Sequence, residues 1–490
     1  MSIVDTVKRF LGIPTIDIGE LNRQATRLPS VEVTKPVIKN LLDGIHVTDE
    51  YKQVHSLIKT NYPIIFVTGN AGTGKSTLIQ YLRSVLNKNM IVLAPTGVAA
   101  LNVEGVTIHS FFHLPPRIHN DEDIKIVQDR KLYQKLELLI IDEISMVRCD
   151  LLDSIDKFLR KNRSTDIPFG GVQLLLIGDL FQLPPVTKRK EREILRAKGY
   201  ASHHFFSSFS LQKSSFIPFE LTSTYRQKDS LFISLLNNVR TGEEVESTIA
   251  KLNEHCFQKE QRATNITLTC TNSLADQINK RELQKLHSKE YTFQGEIIGK
   301  FNIEEDKLPS PLNLKLKVGA HVMFTKNDGN RRWVNGSLGI VRSIENGNIA
   351  VETRVNQQKS IYDVKRVRWE TYKYSYSSKE NKIVSEVIGE YTQFPLTLAW
   401  AVTIHKSQGK TLQKVLLDLG NGTFDYGQLY VALSRCRSMD GIQLARSIKT
   451  ADVLCDPVIK RFFSTLDTMV NKNNNNELLL APNQALKLTE

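Results

Sequence analysis

Short, largely apolar runs punctuate the chain, and each stops abruptly at small or polar residues: residues 64–67 (IIFV), 90–94 (MIVLA), 138–141 (LLII), 174–177 (LLLI) and 415–419 (VLLDL). Runs of this length without alternation read as strands buried on both faces. The stretches between them have helical spacing. Residues 77–85 follow the first run. Residues 48–60 (TDEYKQVHSLIKT) precede it, with Thr48 placed to cap and Val54, Leu57 and Ile58 on one face. Residues 266–279 read as strand, polar turn and helix, and 430–437 as a helix. Strands alternating with helices predict an α/β fold with parallel sheets.

From about 295 to 390 the pattern changes. The turn pairs Asp328-Gly329, Asn335-Gly336 and Asn346-Gly347 separate short β-branched runs. This predicts a small antiparallel barrel inserted in an α/β domain. Within it, KRVRWETYKYSY (365–376) interleaves basic and aromatic residues, a pattern that serves base stacking or a plain barrel strand with Tyr372, Tyr374 and Tyr376 alternating. The expected division is an N-terminal extension (1–45), a first domain (46–215), a second domain in two pieces (216–294 and 391–470), the insert (295–390) and a disordered Asn-rich tail (471–490).

Chemistry enters where the apolar runs end. The run at 64–67 passes into Gly69-Asn70-Ala71-Gly72-Thr73-Gly74-Lys75-Ser76-Thr77. Strand, glycine-rich loop and helix in that order form a phosphate cradle. Lys75 supplies charge to phosphates, Ser76 a hydroxyl to Mg²⁺, and the helix start its partial positive charge. The run at 138–141 ends in Asp142-Glu143. In a phosphate-loop enzyme the first acid holds Mg²⁺ and the second activates the attacking water. Gln182, at the exit of 174–177, can reach a γ-phosphate, and Arg226 and Arg435 are candidate stabilisers of phosphoryl-transfer charge. Thr96 and Asn272 sit where strands yield to helices and suit contact with a sugar–phosphate chain, the His405-Lys406-Ser407-Gln408-Gly409 cluster marks a functional position where a strand yields to a loop and helix, and LPPRIHN (114–120) reads as an exposed insertion.

Composition narrows the partners. The 490-residue chain carries a net charge of +13 and a pI near 9.3, which favours a polyanion, nucleic acid first. No apolar run reaches the length of a membrane span, and no signal-peptide pattern opens the chain. Five scattered cysteines without a CxxC pair fit a reducing, intracellular setting.

The motifs GNAGTGKS, APTGVAA with TIHSFF, IIDEISMV, GDLFQLPPV, STYRQ, WAVTIHKSQGKT and YVALSRCR occur in the order of the superfamily-one helicases. IPFGGVQ (167–173), between the DEIS and GDLFQLPP segments, resembles the signature of the Pif (petite integration frequency) branch of RecD-like DNA helicases. The resemblance spans about 48–469. It implies two RecA-like domains with ATP and Mg²⁺ between them, 5′-to-3′ movement on single-stranded DNA and unwinding of tailed duplexes by a monomer in genome maintenance. Quadruplexes and RNA–DNA hybrids stand as further substrates, and a nucleic-acid-stimulated switch or RNA translocase as the alternative. Lys75, Ser76, Asp142, Glu143, Gln182, Arg226, Gly409 and Arg435 match the family's nucleotide positions. Thr96, His109, Phe111, Pro115, Asn272, His405 and Lys406 match its DNA side. The 114–120 segment falls where the family places a strand-separating wedge, and the insert where it places an SH3-like barrel. Where the family has Gln directly after Glu, Glu50 is followed by Tyr51, with Gln53 two later. Tyr51 is therefore expected to stack on the nucleotide base.

Overall fold

The computed structural model describes residues 46–473 apart from 228, 258–265, 302, 304, 306–307, 331 and 356–357. The N-terminal extension and residues 474–490 of the expected tail lie outside the described residues.

Six parallel strands form the first sheet: β1 (Ile64–Gly69), β2 (Met90–Ala94), β3 (Val106–Thr107), β4 (Leu138–Ile141), β5 (Gln173–Ile177) and β6 (Phe216–Leu221), in the order β3-β2-β4-β5-β1-β6. The uninterrupted apolar runs are explained by burial on both faces. Helices α1 (Asp49–Lys59) and α2 (Lys75–Val85) cover Ile65, Val67, Ile140 and Leu175 on one face. After the short α3 (Gly97–Asn102), α4 (Cys149–Arg163) packs Leu151, Ile155 and Phe158 with Phe66, Leu139 and Leu174 on the other. Because β5 lies between β4 and β1, the segments leaving these three strands are neighbours at one sheet edge, where ligands of open parallel sheets bind.

Strand β6 corrects the expected boundary at 215/216. Residues 216–221 pair along the whole of β1, and Ile217, Phe219 and Leu221 are buried. Their alternating burial marks an edge strand of the first sheet. The second domain starts beyond it, with α5 (Ser230–Thr241), α6 (Val245–Cys256) and strand β7 (Ile266–Thr269), followed by α7 (Asn272–Lys285).

The insert follows. A ribbon pairs β8 (Tyr291–Gln294) with β10 (Asn313–Leu316). Strands β11 (His321–Phe324), β12 (Leu338–Glu345), β13 (Asn348–Val355), β14 (Gln358–Val364) and β17 (Leu396–Leu398) form an antiparallel sheet in the order β14-β13-β12-β11-β17. Its core includes Leu316, Val322, Phe324, Val341 and Val351. Three further strands, β15 (Val367–Ser377), β16 (Lys382–Gln393) and β9 (Glu296–Gly299), make a separate sheet. Among the described residues no closed barrel forms, which corrects the expected small barrel. The reason is the length of β15 and β16, 11 and 12 residues. At about 3.3 Å per residue this ribbon runs past any small barrel. It lands on the first domain. The Tyr374 ring lies 6.2 Å from that of Phe111, and the Ile383 N–H donates to Asn89 Oδ1 (2.9 Å). The basic–aromatic stretch 365–376 is thus neither a barrel strand nor a free stacking platform: its alternate tyrosines Tyr372 and Tyr374 pack against the first-domain core.

Strands β18 (Ala401–Thr403), β19 (Val415–Asp418) and β20 (Ile442–Leu444) then complete a parallel sheet in the order β18-β7-β19-β20. Helix α8 (Gln428–Leu433) follows β19, and α9 (Pro457–Asn473) ends the described chain, three residues into the segment expected to be disordered. Phe462 of α9 stacks on Phe206 (4.1 Å) and Phe463 on Phe181 (5.1 Å), both in the first domain. Among the described residues no helix is long and apolar enough to cross a membrane.

Candidate active site

The loop leaving β1 has positive φ at Gly72 (88°) and Gly74 (84°), where a side chain is strained. Space agrees with torsion: a Cβ at Gly72 would lie 2.5 Å from Arg226 Cβ, and one at Gly74 2.2 Å from the Tyr51 hydroxyl. Gly74 caps α2 without a side-chain hydrogen bond, so the first-turn amides of α2 have no capping side chain. Lys75 Nζ donates to the Gly69 (2.8 Å) and Asn70 (2.9 Å) carbonyls, the two residues that open the loop. Burial pushes its pKa down, against the pull of Asp179 and Glu143. Thr73 is buried, its hydroxyl donating to the Asn70 carbonyl (3.0 Å), while Ser76 is exposed.

Asp142 leaves β4, anchored by its N–H to the Leu93 carbonyl (2.9 Å). Glu143 takes a left-handed conformation (φ 49°, ψ 45°). For a non-glycine residue this costs ~1–3 kcal/mol, strain of a kind that clusters at functional sites. Burial, then the neighbouring Glu143, raises the pKa of Asp142. Burial raises that of Glu143 as well, opposed by Lys75 from the first domain and Arg435 from the second. Gln408 Nε2 donates to Glu143 Oε2 (3.1 Å) and to Gln182 Oε1 (3.3 Å).

Arg226 follows β6 and donates to the Ser434 carbonyl (3.1 Å). Arg435, 1% exposed, is held by its own domain: Nε donates to the Val431 carbonyl (2.7 Å) and Nη2 to Ser434 Oγ (2.7 Å). Burial, then Arg226, lowers its pKa to about 9. Gly409 is exposed with φ 77°. Mg²⁺ is normally held by one or two protein oxygens plus water. The oxygens of exposed Ser76 and of Asp142 are donors of the hard kind it takes.

Four side chains outside the sequence-derived set complete this seam. Asp179, fully buried where β5 ends, accepts from Gln182 Nε2 (3.2 Å) and from the Tyr430 hydroxyl (3.0 Å). That hydroxyl in turn accepts from the Ala71 N–H (2.9 Å). Arg240 pairs with Asp179 (3.4 Å) and covers the Phe181 ring (4.3 Å). Asn70 Nδ2 donates to Asn237 Oδ1 (3.0 Å). A sequence signal existed for Arg240: it follows Leu236 by one helical turn on the buried face of α5.

Two expectations on the base and DNA sides are corrected. Tyr51 is 2% exposed, donates to the Gly74 carbonyl (2.8 Å) and lies 5.9 Å from the Tyr81 ring. It props the loop from behind, beside Thr77, and has no open face for a base. Beside it, Gln53 Oε1 and Glu50 Oε2 are buried without a hydrogen-bond partner among the described residues. Phe111 is 6% exposed, packed by Phe112 (4.9 Å), Tyr133 (5.3 Å) and Tyr374, so it is core and does not stack on bases.

The other DNA-side candidates stand at strand exits. Thr96 caps α3 by accepting from the Ala99 N–H (3.2 Å), and exposed Asn272 starts α7. Half-buried His405 and exposed Lys406 follow β18. Burial lowers the pKa of His109 to about 4, leaving a neutral ring 6.2 Å from His119. The 114–120 segment is a loop. His119 is buried, its ring bridging Ser154 Oγ (3.0 Å) and the Pro115 carbonyl (2.8 Å), and Arg117 forks onto Asp123.

The PIF1-like helicase family model matches residues 46–249. The chain is 34% identical over 412 residues to the ATP-dependent DNA helicase Pif1 of Bdellovibrio bacteriovorus, covering 82% of this chain and 88% of that protein. It is 36% identical to the ATP-dependent DNA helicase PIF1 of Danio rerio, covering 78% of this chain but 58% of that longer protein. Among solved structures, Bacteroides sp Pif1 in complex with ADP-AlF4 is 40% identical with a TM-score of 0.79, covering 87% of this chain and 98% of that one. Bacteroides Pif1 bound to ssDNA has the same identity and coverage but a TM-score of 0.64.

Proposed function

This chain belongs to the PIF1-like helicase family and is an ATP-dependent DNA helicase, and from that premise we propose that it moves 5′ to 3′ on single-stranded DNA and parts tailed duplexes at the 114–120 loop. The observation that carries the mechanism is the position of Glu143: its carboxylate feels Lys75 of one domain and Arg435 of the other, and Gln408 reaches it from the second. Each half supplies what the other lacks, so hydrolysis and relative domain movement are one event.

In this reading Lys75 turns from the Gly69 and Asn70 carbonyls to the phosphates, and the α2 amides complete the cradle. Ser76 and Asp142 would hold Mg²⁺, which when bound would supply positive charge against the phosphates. Glu143 orients the attacking water and takes its proton. Arg226 and Arg435 balance charge that develops on the transferred phosphoryl group. Gln53 Oε1, a buried acceptor without a donor, fits the amino group of adenine, a role Tyr51 cannot take. Thr96, Asn272, His405 and Lys406, all at carboxyl ends of strands, face the strand being tracked, and the net charge of +13 supports a polyanionic track.

The matched Bacteroides structures support a second element of the reading. At equal identity and coverage, the DNA-bound one fits this chain less well than the one with ADP-AlF4. The arrangement described above is accordingly taken as the DNA-free one. The chain acts as a monomer, and quadruplexes or RNA–DNA hybrids are substrates to the extent that their tails load it.

The test is unwinding of forks bearing only a 5′ or only a 3′ tail, with DNA and RNA tracks compared at matched salt. Displacement from the 5′-tailed DNA fork alone is expected. Opening of only the 3′-tailed fork would reverse the assigned polarity. ATP turnover without displacement of either would leave a nucleic-acid-stimulated switch.

A further inference from the structure

The hydroxyl of Tyr430 sits between the phosphate loop and the second domain, and nothing in the mechanism above uses it. It accepts from the Ala71 N–H and donates to Asp179, whose other carboxylate oxygen meets Arg240. All three side chains lie deep in the seam: Tyr430 is 2% exposed and Asp179 0%, and the Arg240 side chain 10%. Tyr430 is part of α8, and Arg435 follows two residues beyond the end of that helix. One bond from a loop amide therefore reaches the element that carries the arginine.

We propose that Tyr430, oriented by Asp179 and Arg240, is a positioning residue that reports occupancy of the phosphate loop to Arg435. The inference rests on the ATP-hydrolysing reading of the site. The physical argument starts from the amide. A buried backbone N–H needs an acceptor, and Ala71 finds it in Tyr430. A phosphate oxygen in the cradle is a stronger, charged acceptor for the same class of donor. Loss of the Ala71 bond removes one of the ties between α8 and the first domain and leaves the Tyr430 hydroxyl to Asp179. The Arg435 guanidinium is held by its own domain's carbonyl and hydroxyl oxygens, so the shift of α8 decides when it is presented. Asp179 must remain an acceptor for this to work. Arg240 serves that purpose by holding a full positive charge beside it, with Phe181 beneath the guanidinium.

The prediction reads both binding and turnover. Tyr430→Phe keeps the ring that fills the site and removes only the hydroxyl. The Ala71 N–H is then unpaired, and a phosphate relieves it without competition. Mant-ADP, titrated by fluorescence on the full chain, is expected to bind about threefold to tenfold more tightly, the range of one net hydrogen bond. ATP turnover without single strands is expected to rise about threefold to tenfold as well, because α8 is already untied from the loop and Arg435 is no longer held back. A merely structural role would weaken both or neither. Arg240→Lys is expected to keep most of the kcat that Arg240→Met loses, since the charge beside Asp179 survives. Unchanged mant-ADP affinity and unstimulated turnover in Tyr430→Phe, or weaker binding together with a lowered Tm, overturns the proposal. A wild-type chain that hydrolyses no ATP when given single strands overturns the functional reading and this inference with it. A stimulated wild type with an unaltered Tyr430→Phe overturns the inference alone.

Discussion

At the seam, Asp179 alone gathers the Tyr430 hydroxyl, the Gln182 amide, the Phe181 N–H and the Arg240 guanidinium. The ribbon of β15 and β16 meets the first domain by other means, through Tyr374 against Phe111 and one hydrogen bond from Ile383 to Asn89. The seam is a buried polar network in which each member fixes the direction of the next. The ribbon contact is an apolar patch between surfaces that each have their own core. Polar networks in a low dielectric are specific and lose function when one member is removed. Apolar contacts are additive, and their loss lowers stability with little redirection of chemistry. The two regions should therefore answer mutation differently.

The largest difference is expected from Lys75→Ala and Arg435→Ala. Each should lower ATP turnover by about 10³-fold, the order measured for preorganised charge at a developing anion. Binding of nucleotide should persist in Arg435→Ala within a few fold, measured by fluorescence titration with Tm as the check on folding. Wild-type turnover in either variant would erase the seam as a catalytic unit.

Tyr374→Ala comes next. Loss of a half-buried aromatic contact should cost ~1–3 kcal/mol in urea unfolding. ATP turnover per folded molecule should stay within about twofold. A large fall in turnover would mean that the ribbon steers the seam, and the contrast between the two regions would fail.

The smallest effect is a pH dependence from His109, which packs beside the wedge loop and belongs to neither region. Burial, then His119 and Arg148, holds its folded pKa near 4, below the usual 6.5. Between these values the unfolded chain binds the proton and the folded chain does not, so stability rises with pH across about 4 to 6.5. Stability is full above the unfolded value and falls as pH drops towards 4. Allowing for partial exposure, the effect is ~1–2 kcal/mol. Thermal unfolding across this window should show a shallower slope in His109→Asn than in the wild type; parallel slopes would remove the assignment.

What could be read from the sequence follows the same division. The phosphate loop and the Asp142-Glu143 pair are local events at the ends of buried strands, so spacing alone places them. The roles of Tyr51 and Phe111 are not legible in the sequence because the direction of an aromatic ring is decided by tertiary neighbours: Tyr81 and the Gly74 carbonyl for one, Tyr133 and Tyr374 for the other. The insert was recognisable as antiparallel from its turn pairs, but closure into a barrel depends on where long strands go, and turn chemistry is silent on that. Strand β6 is hard to place from sequence because FIPFEL carries a proline and a glutamate that mask an edge strand. The Ala71–Tyr430 bond spans 359 positions, beyond the reach of any local pattern.

The stacking of Phe462 on Phe206, with Phe66 and Phe216 nearby, has a bearing on how the protein is made. The first domain's six strands leave the ribosome within the first 221 residues, yet Phe462 and Phe463, which cover the aromatic surface behind them, come much later in the chain. Until those last residues emerge, a nascent polypeptide carries a sticky, uncovered patch on an otherwise finished domain. Early termination before position 462 should therefore yield aggregates in which the lost segment is the lid, and not the motor.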